Sequence, residues 1–516
     1  MRSVMSLRLV GSISGEVKPT TFDIQVSDAS VERGSYVKVK HDVYGWVLAR
    51  IEFMKRYLND FDEERILASA RTIGYREEKN ILVPKTPFKP NEKVYLADTD
   101  LITSILGLKT GGSGNIYLGT LEGHDIPVYL DIRKMISKHM SVLAKTGAGK
   151  SYTVAVILEE LLKTDIPIVI IDPHGEYTSL KVENDEYDAM LKYKIKAASY
   201  KDKITEYAVN LDVNQNAKKL TLKPIFNTIE LSEILPLGLS DKQKSVLFTA
   251  LRDLEEESIN GSYTLDDLMM KVEQEPTNLK WKVISGLEVL KESRIFDGIP
   301  VPPEEIVKKG NASIISLLGT EPHIQELLVA KLVKELFDAR RLGQIPEFFF
   351  LIEESHNFCP ERGFGDAISS EILRTVASEG RKFGFQLCVV SQRPARVDKN
   401  VLSQCNTQII LKVTNPNDLR AIGRSIEGFT NAMENEIKQL PVGHALVVGE
   451  CVEQPITVCV RIRETKHGRT IKPKEEDEEE IELEKHPQKK QRKKMEGRKS
   501  WLDVILGFFI KPKKKD

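Results

Sequence analysis

No apolar run in this sequence approaches the roughly 18 residues needed to cross a bilayer, which excludes a spanning helix and predicts a soluble protein. The amino terminus, MRSVMSLRLVGS, has neither an apolar segment of signal-peptide length nor a small-residue cleavage site, so a cytoplasmic location is expected. Cysteine is scarce. Cys359, Cys388, Cys405, Cys451 and Cys459 are odd in number and show no CxxC spacing, which excludes a disulfide framework and a zinc ribbon and predicts buried thiols. An excess of charge of one sign is also missing. The formal net charge of -1 rules out a uniformly basic coat for nucleic acid but leaves room for a local basic groove.

What is present is enough apolar material, 41 % of 516 residues, to bury a large core divided into two or three folding units. Residues 1–110 alternate apolar and polar positions in short runs (FDIQVSD, SYVKVKHD, WVLARIEF) between Gly and Asp turns, which predicts a small β-barrel or sandwich. GLKTGGSGNIYLG follows. Its glycines are not followed by a Lys-Ser/Thr pair, so it reads as a linker or hairpin turn. From 111 to 228 and from 299 to 465, continuous apolar runs (SVLA, IVIID, ASIISLL, FFFLI, QLCVVS, TQIILKV, HALVVG) alternate with helical stretches. Strands of that kind are buried on both faces, and they predict an α/β core with a mainly parallel sheet. Between the two halves, 229–298 carries apolar residues at helical spacing and predicts a packed helical insertion. The tail, 466–516, is low in complexity. Its acidic run, basic run and terminal apolar patch Trp501–Ile510 suit a solvated segment that docks a partner, touches a membrane surface or does nothing specific.

AKTGAGKSYT lies between the apolar strand SVLA and an amphipathic helix, the setting in which backbone N–H groups and a helix N-terminus cradle phosphate. The first glycine usual in such loops is absent. Ala144 stands there, and it is tolerated if the position keeps ordinary strand-end dihedrals. Thr146, Gly147, Ala148, Gly149, Lys150, Ser151 and Tyr152 are the expected ATP-binding residues. In this reading Lys150 reaches the β and γ oxygens and Ser151 offers its hydroxyl to Mg2+.

FFFLIEESHNFCP supplies the second part, an apolar strand that ends in two carboxylates. Glu353 is assigned to Mg2+ and Glu354 to the attacking water. His356 and Cys359 stand nearby at i and i+3 but lack the second ligand pair a zinc site needs. Gln392, at the end of QLCVVSQRP, is either a sensor of the γ-phosphate or a turn amide. Arg381 in SEGRKFG is either a finger reaching into a neighbouring subunit's site or a plain surface arginine. Asp172, His174 and Glu176 in IVIIDPHGEY either join the site or form a cap and turn. Together these residues describe a Mg2+-dependent ATPase.

In this order, AKTGAGKS, IDPHGEY, LIEESHNF, SEGRKFG and VSQRP after a β-rich segment resemble the HerA branch of the FtsK-HerA ATPases, the archaeal DNA-translocating helicases. The motifs that carry the resemblance lie between 139 and 394, and the family typically has Gly where this chain has Ala144. The resemblance implies a RecA-like P-loop NTPase core, a small N-terminal barrel and a homohexameric ring around DNA. It further implies resection of broken ends with the NurA nuclease, and it leaves room for other double-strand-break repair nucleases. Arg393, Arg396 and Lys399 are candidates for gripping DNA, although a solvated surface explains them as well. Two other readings stand beside this one: a related motor of conjugation or secretion, and a nucleotide-switched DNA-binding ring that does not move processively.

Overall fold

The computed structural model describes residues 7–58, 62–112, 114–223, 231, 235, 238–257 and 263–468. The tail from 469 onward, with its charge runs and apolar patch, lies outside the described residues, as do parts of the predicted helical insertion.

The alternating runs near the start form antiparallel strands β1 (Leu9–Val17), β2 (Thr21–Val26), β3 (Tyr36–His41), β4 (Gly45–Leu58), β5 (Glu64–Glu77), β6 (Asn80–Leu82) and β7 (Lys93–Leu96). They hydrogen-bond in the order β2-β1-β7-β3-β4-β5-β6, and an additional β2–β5 ladder closes the ring into a barrel. Closure satisfies both edges, and the inward positions Val10, Ile13, Ile24, Val37, Val39, Val47, Ala49 and Val94 fill the interior. The glycine-rich stretch is a loop, entered through a left-handed Gly107 (φ 63°) that ends the helix Thr99–Leu106.

The second sheet contains β8 (Asn115–Leu121), β9 (Pro127–Asp131), β10 (His139–Leu143), β11 (Ile168–Asp172), β12 (Ile204–Ala208), β13 (Lys218–Lys219), β14 (Ala312–Ser316), β15 (Phe348–Ile352), β16 (Phe385–Ser391), β17 (Cys405–Ile410), β18 (His444–Gly449) and β19 (Ile456–Val460). Their order is β13-β12-β14-β11-β15-β16-β10-β17-β18-β19-β8-β9. Pairing is parallel from β13 to β17 and antiparallel from β17 to β9. HALVVG is therefore one of the antiparallel strands, in contrast to the parallel runs before it. Two helices, Pro416–Ser425 and Asn431–Gln439, separate β17 from β18. β18 pairs antiparallel with β17, so it starts at the edge where β17 ends.

The apolar runs are continuous because both faces of this sheet are covered. Ile168 and Ile170 pack into one core with Phe349 and Leu351, whereas Val169 and Ile171 pack into the other with Phe348, Phe350 and Ile352. The helices Asp241–Glu257, Leu265–Gln274 and Lys280–Glu292 of the insertion bury Leu247, Leu251, Leu268, Val272, Val283 and Leu287 in that second core. Among the described residues no helix is long and apolar enough to cross a membrane. Cys359, Cys388, Cys405 and Cys451 are buried and unpaired, but Cys459 is only half-buried.

Candidate active site

Parallel strands bring their carboxyl ends to one edge, and in open α/β sheets that edge holds the ligand. Here β10 is flanked by β16 and β17, with β15 beyond β16 and β11 beyond β15. The loop after β10, the glutamates after β15, Gln392 after β16 and Asp172 at the end of β11 therefore converge.

The loop leaves β10 through Ala144, which is fully buried and donates its N–H to the Ser391 carbonyl at 3.2 Å. Ala144 is not among the residues with positive φ, whereas Gly147 (φ 77°) and Gly149 (φ 98°) are. The missing glycine therefore costs the loop nothing in backbone strain. The helix Lys150–Leu162 begins directly after Gly149, so its free N–H groups face the loop.

Lys150 is buried, and its ammonium pairs with Glu353 and lies 3.2 Å from Glu354 Oε1. Burial lowers the lysine's pKa, and the Glu354 charge opposes that shift. Glu353 also accepts the Tyr177 hydroxyl. Glu354 adopts a left-handed conformation (φ 49°), which for a side chain with a Cβ costs on the order of 1 kcal/mol and marks a position held by its surroundings. Its Oε1 accepts from Gln392 Nε2 at 2.6 Å, and the Gln392 carbonyl in turn accepts the Thr146 hydroxyl. His356 Nδ1 stands 3.3 Å from Glu354 Oε2 and 3.2 Å from Ser391 Oγ. Burial lowers the His356 pKa, Glu354 opposes this, and the Arg393 and Arg396 charges add to the lowering.

Asp172 is fully buried and acts as a cap. Its Oδ1 accepts from the N–H groups of His174, Gly175 and Glu176 at 3.2, 2.8 and 3.2 Å, and its Oδ2 accepts from Tyr177 N–H at 3.0 Å. Burial raises its pKa against those hydrogen bonds. The cap places His174 and Glu176 at the rim of a cavity of about 860 Å³, whose walls also include Thr146, Gly147, Gly149, Lys150, Ser151, Tyr152 and Gln392. Ala148 is buried beneath the loop and donates to Lys145 O at 3.2 Å.

Arg381 is not brought to this edge. It is exposed in the last turn of the helix Ser370–Phe383, before β16 begins at Phe385, so the length of β16, roughly 20 Å at 3.3 Å per residue, separates it from Gln392. Arg393 and Arg396 are exposed on the turn after β16, and Lys399 pairs with Glu361 at 3.5 Å. Exposed Arg420 and Arg424, on the helix Pro416–Ser425, share one cavity wall with Lys399, a cluster that spacing along the chain does not reveal. Sequence also gives no sign that Arg463, His467 and Gly443 line the main cavity, because they belong to segments far from the loop.

The residues fit a divalent ion. Ser151 is on the cavity wall beside Lys150, and Glu353 and Glu354 bring two buried carboxylates to the same lysine, an all-oxygen donor set suited to a hard cation.

A model of the central domain of helicase HerA matches residues 116–336. A probable helicase of Methanocaldococcus jannaschii is 26 % identical over 505 residues, covering 89 % of this chain and 92 % of the relative. The DNA double-strand break repair helicase HerA of Pyrococcus furiosus is 26 % identical over 518 residues, covering 87 % of this chain and 91 % of the relative. Among solved structures, VirB4 of Thermoanaerobacter pseudethanolicus aligns with a TM-score of 0.49 at 16 % identity, over 68 % of this chain and 98 % of that one.

Proposed function

The chain belongs to the HerA helicase family, and on that premise we propose that it is an ATP-dependent DNA helicase and translocase that acts on duplex ends in double-strand-break repair. The observation that carries this reading is the closed set of contacts from Thr146 through Gln392 to Glu354 and Lys150, which joins the phosphate loop to a base.

In the proposed reaction Gln392 and Glu354 hold a water in line with the γ-phosphorus. Glu354 takes its proton as the new O–P bond forms and the bond to the β-bridging oxygen breaks. Lys150 exchanges its carboxylate partners for the β and γ oxygens, which frees Glu354 to accept the proton. Glu353 and Ser151 would hold Mg2+, which when bound neutralises charge on the phosphate oxygens. Arg381, too far from its own site, is proposed to serve a neighbour's, and this supports the homohexameric ring that the family resemblance implies. The same resemblance supports NurA nuclease as partner.

Arg393, Arg396, Arg420 and Arg424 are exposed and have no carboxylate within ion-pair distance among the described residues, so they are free to bind phosphates of any sequence. Arg393 and Arg396 also act on His356, which ties the DNA-facing turn to Glu354.

The test is strand displacement from a blunt duplex by the wild type and by Glu354→Gln. The reading expects ATP-dependent displacement in the first, and ATP binding with neither hydrolysis nor displacement in the second. Near-normal turnover by Glu354→Gln would remove Glu354 as the base.

A further inference from the structure

Beyond β19 the chain runs as a strap, Arg461 to Gly468, along the helix that starts at Lys150. Two arginines in it are buried, and the helix supplies their counter-charges. Arg461 donates to Glu159 Oε2 at 3.0 Å and to Glu160 Oε1 at 2.9 Å. Arg463 Nε lies 3.7 Å from Glu159 Oε1, while its Nη2 donates to Ser179 Oγ at 3.1 Å and Thr465 Oγ1 at 2.7 Å. Glu159 also accepts the backbone N–H groups of Glu464 and Thr465 at 3.0 and 2.9 Å. A surface strap does not need a buried ionic staple of this kind. Glu159, Arg461 and Arg463 are each at most 2 % exposed, so removing any one strands charge in the interior and the strap is fixed in register on the helix.

The register places aromatic groups in the cavity wall. Arg463 N–H donates to the Tyr152 hydroxyl at 2.9 Å, and the Arg463 guanidinium lies 6.0 Å from the Tyr152 ring. The His467 ring stands 5.4 Å from the Tyr152 ring at 62°. Tyr152, Arg463, His467 and Gly468 line the cavity together with Val442 and Gly443. The groups assigned to phosphate, Lys150, Thr146 and Gln392, line the same cavity. One cavity thus holds both an ionic set and the adjoining Tyr152 and His467 rings beside a helix N-terminus, the combination a nucleotide needs.

Resting on the nucleotide reading of this cavity, we propose that the strap forms the base subsite: the nucleobase packs against Tyr152 and His467, and Glu159 positions that pair by holding Arg463. The helix that presents Lys150 to phosphate therefore also fixes the base through its third turn.

The probes are ATP, ADP and inorganic tripolyphosphate, each with Mg2+, in calorimetric titrations of the full chain, Tyr152→Ala, Tyr152→Phe and His467→Ala. His467 is exposed, so its substitution spares the core. Loss of base stacking predicts about tenfold weaker ATP and ADP binding by Tyr152→Ala and His467→Ala, with tripolyphosphate affinity retained. Tyr152→Phe keeps the ring and should stay near wild type. Unchanged ATP affinity in both alanine variants would overturn the base subsite and leave the phosphate site standing. Equal losses for ATP and tripolyphosphate would also overturn it, by assigning these residues to the phosphate end. A wild type that binds none of the three probes would defeat the nucleotide reading itself.

Discussion

Gln392 gives its amide hydrogen to Glu354 Oε1 at 2.6 Å while its carbonyl takes the Thr146 hydroxyl. One side chain at the end of β16 thus spans from the phosphate loop to Glu354, the proposed base, and it does so because β16 lies between β10 and β15 in the sheet. Replacing it should disturb the water's orientation more than nucleotide binding. Gln392→Ala is expected to lower kcat by about 10²-fold, the scale of losing one preorganised polar group, with ATP affinity kept within a few-fold. Steady-state kinetics paired with equilibrium ATP binding decide this, and an unchanged kcat would return Gln392 to the role of a turn amide.

Arg381 stands in the last turn of its helix, before the start of β16, so its proposed part in hydrolysis is at a neighbour's site. Arg381→Ala should lose turnover and keep ATP affinity. Mixed with Lys150→Ala subunits, it should regain part of the activity, since some boundaries then pair an intact loop with an intact arginine. No recovery at any mixing ratio would count against action across a boundary.

The exposed arginines beyond β16 make a prediction about salt. Removing one phosphate contact should weaken binding to all duplex sequences alike and flatten the plot of log affinity against log salt by about 0.9. Arg396→Ala and Arg420→Ala, titrated with two unrelated duplexes at several salt concentrations, check both features. A loss confined to one sequence, or an unaltered slope, would place these arginines outside the DNA path.

Much of this arrangement was legible in the sequence, for identifiable reasons. The phosphate loop, the paired glutamates and Gln392 each follow an apolar run that needs two covered faces, so each had to lie at the carboxyl end of a buried strand. The barrel's alternation was equally plain, although only the β2–β5 ladder separates a barrel from a sandwich. Other features depend on contacts between distant segments. Asp172 reads equally well as cap or ligand until its four N–H donors are seen. The Arg461–Glu159 pair joins residues about 300 positions apart, and no local pattern announces it.

His139 offers a test of the fold at the other end of β10. Its Nδ1 accepts from Leu387 N–H at 2.9 Å, so the ring is held neutral, and burial pushes its pKa down to about 4. The unfolded chain has the ordinary histidine value near 6.5 and takes up the proton first. Stability should therefore fall as pH drops from about 6.5 towards 4, by on the order of 3 kcal/mol from this group. Denaturant unfolding of the wild type and His139→Gln across that range should give a shallower pH slope for the variant, even if it is less stable at pH 7. Equal slopes would assign the acid sensitivity elsewhere.

The most direct measurement for the central claim is ATP turnover by the full chain with and without linear duplex DNA, at low and moderate salt, with Glu354→Gln as control. A DNA motor predicts Mg2+-dependent turnover that rises with DNA, a stimulation that weakens as salt increases, and none in the control. Turnover indifferent to DNA at every salt concentration would contradict it.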